Sequence, residues 1–246
     1  MATLARRAVR RPKLTGRTPA SAIARRPIGN MGACIADASA AIRDRDPGPP
    51  DPRQFGDLMT RLTRAKSKLA PIYQHGMFEP FVATLAALGE SEFIRILDAD
   101  VNNDRAGRLM MDLAQALLQP GEGFQHAALR AFQELVSDLY DGFLSAEDRR
   151  GVKPPDRGVT APMVKFGEPR SGPYTWPIEA TGSFRVTGTP GPNSAVVSLP
   201  PSNGRLGLMA WSSIGHETAG HDILSADKGL KAELSDTVAV ADEACL

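Results

Sequence analysis

Cysteine is nearly missing from this 246-residue chain: Cys34 and Cys245 are its only two, too few for a disulfide framework and without any Cys-x-x-Cys spacing. Both are expected to be free thiols in a reducing compartment. No stretch approaches the roughly 18–20 consecutive apolar residues of a membrane span, and no apolar block of about 7–15 residues follows the first arginines. The expectation is a cytoplasmic protein with neither a membrane span nor a Sec signal. Aromatic residues make up only 6%, and Trp176 and Trp211 read as core anchors, not as platforms for stacked bases. Gly-x-x-x-x-Gly-Lys-[Ser/Thr], Gly-x-Gly-x-x-Gly and Gly-x-Ser-x-Gly are all absent. A nucleotide site therefore has no support, nor does a serine-hydrolase elbow.

Acidic residues are missing from positions 1–36, where eight of the 29 Lys and Arg lie. The rest of the chain is mildly acidic. Residues 1–54 read as a basic, disordered tail ending in the Pro-rich linker at 43–54. Arg6, Arg7, Arg10, Arg11, Lys13, Arg17, Arg25 and Arg26 also suit nonspecific contact with nucleic acid or anionic lipid. Being rich in arginine and free of acid, the arm further resembles an organelle transit peptide.

A hydrophobic content of 42% provides for a real core. Over residues 55–150, apolar residues recur at three and four positions: Phe55, Leu58 and Leu62; Phe78, Phe81, Leu85 and Leu88; Leu109, Leu113 and Leu117; Leu129, Phe132, Leu135, Leu139 and Phe143. Such stripes predict amphipathic helices in a bundle. Asp98-Ala-Asp-Val-Asn-Asn-Asp104 opens like a calcium loop but has Asn103 where that motif needs Gly and Leu109 where it needs Glu. It reads as a polar loop between helices. Gly and Pro then become frequent, and residues 151–246 are expected to form a second unit. It has strand candidates at Ser183–Thr187 and Ser194–Leu199, paired as a small hairpin over about 183–199, and a helix over about 206–225. The expected fold is mainly α with a small β component (α+β).

That last helix carries Gly215-His216-Glu217-Thr218-Ala219-Gly220-His221-Asp222, with two of the four histidines flanking a glutamate. Two neutral imidazoles can hold a metal, and a carboxylate can take a proton from water beside it. In the familiar His-Glu-x-x-His helix the histidines are separated by about 40° around the axis; five residues advance an α-helix by about 140°. Both rings face one ion only if the helix is loosened, as by a one-residue bulge of the π type, and Gly220 is the residue best suited to it.

His-Glu-x-x-Gly-His resembles the zinc motif of the dipeptidyl-peptidase III family, a likeness that covers six residues. It implies Zn²⁺ as cofactor, His216 and His221 as ligands, Glu217 as catalytic base and a zincin-type peptidase. Catalytic zinc usually has a third protein ligand. His75 and His126 belong to the helical region and read as ordinary helix residues. If the chain turns back after Gly229, Glu243 comes opposite the motif and is the candidate third ligand. Asp236, seven residues earlier and on the same helix face as Glu243, is a candidate supporting residue that hydrogen-bonds a ligand.

The expected activity is zinc-dependent hydrolysis of a peptide or other acyl substrate, with an edge strand at Ser194–Leu199 taking the substrate. The alternative is a noncatalytic helical interaction module whose zinc motif is structural or degenerate. Because Leu246 falls inside a predicted helix without a stop signal, the catalytic unit is expected to be truncated at its C-terminus.

Overall fold

In a computed structural model, residues 20–100, 105–144, 160–168 and 171–223 are described, together with Gly229, Ala232, Ser235 and Asp236. Helix α1 (Ala20–Arg43) occupies part of the segment read from sequence as a disordered tail. Then come α2 (Phe55–Ala65), α3 (Pro71–Tyr73), a π-helical turn at Gln74–Phe78 that runs into α4 (Glu79–Asp100), α5 (Arg105–Glu122) and α6 (His126–Leu144). Among the described residues no helix is long and apolar enough to cross a membrane. The fold is mainly helical with a small sheet, as the sequence predicts.

The stripes read from sequence do face inward on α2 and α5, where Leu58 and Leu62, and Leu109, Leu113 and Leu117, are buried. On α6 the buried line is Leu129, Phe132, Val136 and Tyr140, whereas Leu135 and Leu139 are 36% and 40% exposed. Steps of three and four from Leu129 permit either line. The sheet that α6 packs against selects the one through Val136.

The sheet differs from the expected hairpin. Among the described residues it has three strands, β1 (Met163–Phe166), β2 (Tyr174–Trp176) and β3 (Val196–Leu199), in the order β1-β3-β2. β3 runs parallel to β1 and antiparallel to β2. Ser183 ends helix α7 (Ile178–Ser183), and the segment after it is not a strand. The strand expected at the edge, Ser194–Leu199, is thus the buried centre of the sheet, with Val196, Val197 and Leu199 fully enclosed.

Strand alternation divides the sheet into two faces. Met163, Val196 and Trp176 pack with α2, α4 and α5; Val164, Phe166, Val197 and Leu199 pack with Leu129, Phe132 and Val136 of α6. Helices from before residue 150 and strands from after it therefore share their cores, so the expected second unit is not separately packed.

The outer edge of β1 is closed by side chains. Gln119 donates to the Phe166 carbonyl (2.8 Å) and accepts from the Phe166 N–H (2.9 Å); Gln133 does the same for the Pro162 carbonyl (2.9 Å) and the Val164 N–H (3.2 Å). Two helical amides thereby substitute for a neighbouring strand. Replacing the fully buried Gln119 by Leu strands both Phe166 groups away from water. A loss on the order of 3 kcal/mol in urea-monitored stability is expected. A loss under about 1 kcal/mol would show that the amide is dispensable.

Candidate metal centre

The approach to the motif is pinned at both ends. Gly207 has a φ of 65°, and a Cβ there would lie 2.7 Å from both Ala41 Cβ and Asn203 Nδ2, so only glycine fits between α1 and the turn. The Leu208 N–H then bonds Asp37 of α1 (2.8 Å), and Arg205 pairs with Asp44 and Asp46 (2.8 and 2.9 Å). From there a 3₁₀ segment (Leu208–Ser212) leads into α8 (Ser213–Gly215). Trp211 donates to the Asn203 carbonyl (2.9 Å) and packs on Phe132, while Ile214 is fully buried in the α6-side core.

At His216 the backbone changes to π-helix, and it continues so through Ile223. The loosening expected from a five-residue spacing is present, but as eight continuous residues and not as a single bulge. With i→i+5 hydrogen bonding, residue 221 comes round above residue 216. The two imidazoles meet edge to face with centroids 4.8 Å apart. His216, Glu217 and His221 offer ligand atoms that all lie within 4.8 Å of one another.

The helix is amphipathic across this site. Ile214, Glu217 and Thr218, spaced by three and four, are buried, whereas His216 and His221 are exposed. Glu217, only 5% exposed, is held by β2: the Thr175 hydroxyl lies 2.8 Å from its Oε2 and 3.1 Å from its carbonyl oxygen. A hydroxyl has one proton, and the closer, charged acceptor takes it. Thr175 escaped the sequence reading. The signal was a lone threonine between two aromatics in Tyr174-Thr-Trp176, which alternation turns to the opposite face.

Neither backbone angle nor space demands a glycine at position 220. Its φ is not left-handed, and a Cβ there would stand at 3.4 Å from His216 Nδ1 and 3.6 Å from Cε1, ordinary contact distances. Gly220→Ala is expected to fold normally, with stability unchanged or raised by up to about 1 kcal/mol, because helical glycine is entropically unfavourable. A fall in melting temperature would mean that the π-helix itself needs this glycine.

Of the remaining candidates, Glu243 lies outside the described residues, as does Cys245. Asp236 is helical and exposed and is not one of the three residues whose ligand atoms cluster. His75 is exposed and pairs with Glu79 on its own helix (3.1 Å), and His126 is an exposed residue at the start of α6, so both are the ordinary helix residues expected. Cys34 is a free, exposed thiol on α1. The basic residues up to Arg17 and the centre of the calcium-like loop, 101–104, are outside the described residues. No protein-family model, curated protein or solved structure matches the chain.

Proposed function

We propose that the protein is a zinc-dependent hydrolase of the metallopeptidase type, acting on peptides or other acyl substrates. The observation that carries this reading is the π-helical turn at His216–Ile223, which converges two exposed imidazoles beside a buried, tethered glutamate. Structural zinc sites are closed by four protein ligands, whereas catalytic ones keep a position open to solvent. Exposed histidines favour the open kind.

In this reading His216 and His221 are two ligands and Glu243 the third. Bound zinc would supply Lewis acidity, making water a nucleophile near neutral pH and polarising the scissile carbonyl. The chain's own contribution is positional. Thr175 donates to Glu217 Oε2 and fixes the carboxylate's orientation, so that Glu217 takes the proton of the attacking water and passes it to the leaving group. β2, at the sheet edge beside the motif, replaces Ser194–Leu199 as the strand on which an extended peptide could add.

Metal analysis tests the centre directly. One zinc per chain is expected in the purified protein, lost in His216→Ala and in His221→Ala while circular dichroism and the melting profile persist. Peptide hydrolysis should vanish on chelation and return with Zn²⁺. Unfolding upon zinc removal would point instead to a structural site, and absence of zinc from the intact protein would sink the proposal.

A further inference from the structure

The opposite face of the same sheet holds a second polar constellation. Lys165, Ser198 and Tyr174 stand side by side across the three strands, because Lys165 pairs with Ser198 and Ser198 with Tyr174. Lys165 is 2% exposed and its Nζ lies 2.6 Å from Asp112 Oδ1. Asp112 Oδ2 accepts from the Tyr174 hydroxyl (2.9 Å) and the Trp176 indole (2.6 Å). Burial opposes the ammonium charge, but the Asp112 carboxylate and Tyr174 outweigh it and hold Lys165 above its usual value. Lys165 is therefore a fixed cation and not a base.

Of these groups Lys165, Asp112 and Tyr174 open onto a cavity of about 500 Å³, the size of a small-molecule site. Pro47 and Pro49 form one wall, on a strap fastened to α5 where Gln115 donates to the Pro50 carbonyl (2.9 Å) and to Asp51 (2.7 Å). Leu97 and Met111 add apolar surface. The charged lining comprises Arg53, Arg108 and Lys165 against Asp51, Asp112 and Glu168. Its charges balance in number but not in availability.

Asp112 is engaged by three donors and Asp51 by Gln115. Arg108 is stacked over the Tyr174 ring at 4.7 Å, and its contact with Asp112 is long, at 3.9 Å. Arg53 makes no ion pair among the described residues, and Glu168 is exposed at the rim. The donors that remain are Arg53, the preoriented Arg108 guanidinium and those hydrogens of the Lys165 ammonium that its Asp112 pair leaves unused, against one carboxylate, Glu168, whose charge also acts on Arg108. Ser198 Oγ is buried without a hydrogen-bond partner among the described residues. A Cβ on Gly167 would fall 2.6 Å from that oxygen, 3.3 Å from the Tyr174 hydroxyl and 3.4 Å from Lys165 Nζ. The glycine keeps open the space on which these three polar atoms converge.

We propose that this cavity binds a small organic carboxylate with an apolar body, its carboxylate on Arg108 and Lys165 and its body between Met111, Leu97 and the proline strap. The site is separate from the metal centre. Alternation along β2 turns Tyr174 and Trp176 toward Asp112 and Thr175 toward Glu217.

Isothermal titration of the full chain with hexanoate tests the proposal, with hexylamine and inorganic phosphate as comparison probes. Hexanoate is expected to saturate one site with a Kd below about 1 mM. Arg108→Gln should weaken it by about tenfold or more, as loss of a charge-assisted contact does. Arg108 is half exposed, so its replacement leaves the core intact, as an unchanged melting temperature would verify. Because carboxylates also bind zinc, the titration is repeated on His216→Ala, where the affinity should be unchanged. The proposal fails if hexanoate does not bind, if hexylamine or phosphate binds equally well, if Arg108→Gln binds like the parent, or if His216→Ala abolishes binding.

Discussion

Glu217→Gln is expected to retain zinc in full and to lose at least about a hundredfold in turnover, the range in which a positioned general base contributes. The exchange is nearly isosteric. Thr175 can still donate to the amide oxygen, so the buried side chain keeps its anchor and the π-helical turn that aligns His216 and His221 is undisturbed. Only the ability to accept a proton is removed. Thr175→Val is the complementary variant: Glu217 remains ionisable but loses its orienting bond, so kcat should fall while KM and zinc content hold. Release of fragments from a mixed peptide digest, followed by mass spectrometry beside metal analysis, reads both. Undiminished cleavage by Glu217→Gln would remove this residue from the mechanism while leaving the metal site in place.

Asp112→Ala is expected to cost about 3–5 kcal/mol, the penalty for leaving a buried charge without its partner. Lys165, at 2% exposure, has no other carboxylate in contact among the described residues. Measured against a typical domain stability of about 5–15 kcal/mol, that loss threatens folding at ambient temperature. Lys165→Met should cost less, since Tyr174 and Trp176 still donate to Asp112. The double variant Asp112→Leu/Lys165→Met should recover much of the loss, because hydrophobic replacement of a whole buried pair is often neutral. Urea titrations of the single and double variants give the coupling. If Asp112→Ala unfolds at the parental midpoint, the ion pair contributes nothing.

The same pair sets an alkaline limit. The folded pKa of Lys165 is raised, so its stabilisation is fully present below the unfolded value of about 10.4 and disappears as pH climbs through the folded one. Tyr73 acts in the same direction. Burial pushes its hydroxyl to about 12, and folding therefore weakens between about pH 10 and 12 as the unfolded chain releases that proton more readily. The melting temperature should drop steeply above pH 10, and less steeply in Lys165→Met.

Much of the candidate site is legible in the sequence because its geometry is local. Two histidines five apart cannot face one ion from an α-helix, and the π-helix at His216–Ile223 is the backbone's answer to that spacing. The inward stripes of α2 and α5 are equally local. What escaped was whatever depends on neighbours distant in the chain. Ser194–Leu199 alternates poorly because it is a central strand buried on both faces, a pattern a short edge strand can also produce. Lys165 lies in a Gly- and Pro-rich stretch that reads from sequence as an irregular connection, and only the fold makes it part of a strand and brings Asp112 of α5 against it. Gln119 and Gln133 look like solvated helix residues until β1 lies alongside.

By itself, the sequence determined the helical character of the chain, the absence of any long apolar helix among the described residues, and the pairing of His216 with His221 around Glu217. Those properties follow from composition and from residue spacing along one helix. Only the tertiary structure decided that Thr175 holds Glu217, that β2 and not Ser194–Leu199 borders the motif, and that Lys165, Tyr174 and Asp112 form a second polar site behind the sheet. The physical reason is strand order. Alternation puts consecutive residues of β2 on opposite faces of one thin sheet, the order β1-β3-β2 decides what lies beside them on each face, and no spacing in the chain discloses which residue each of them will meet.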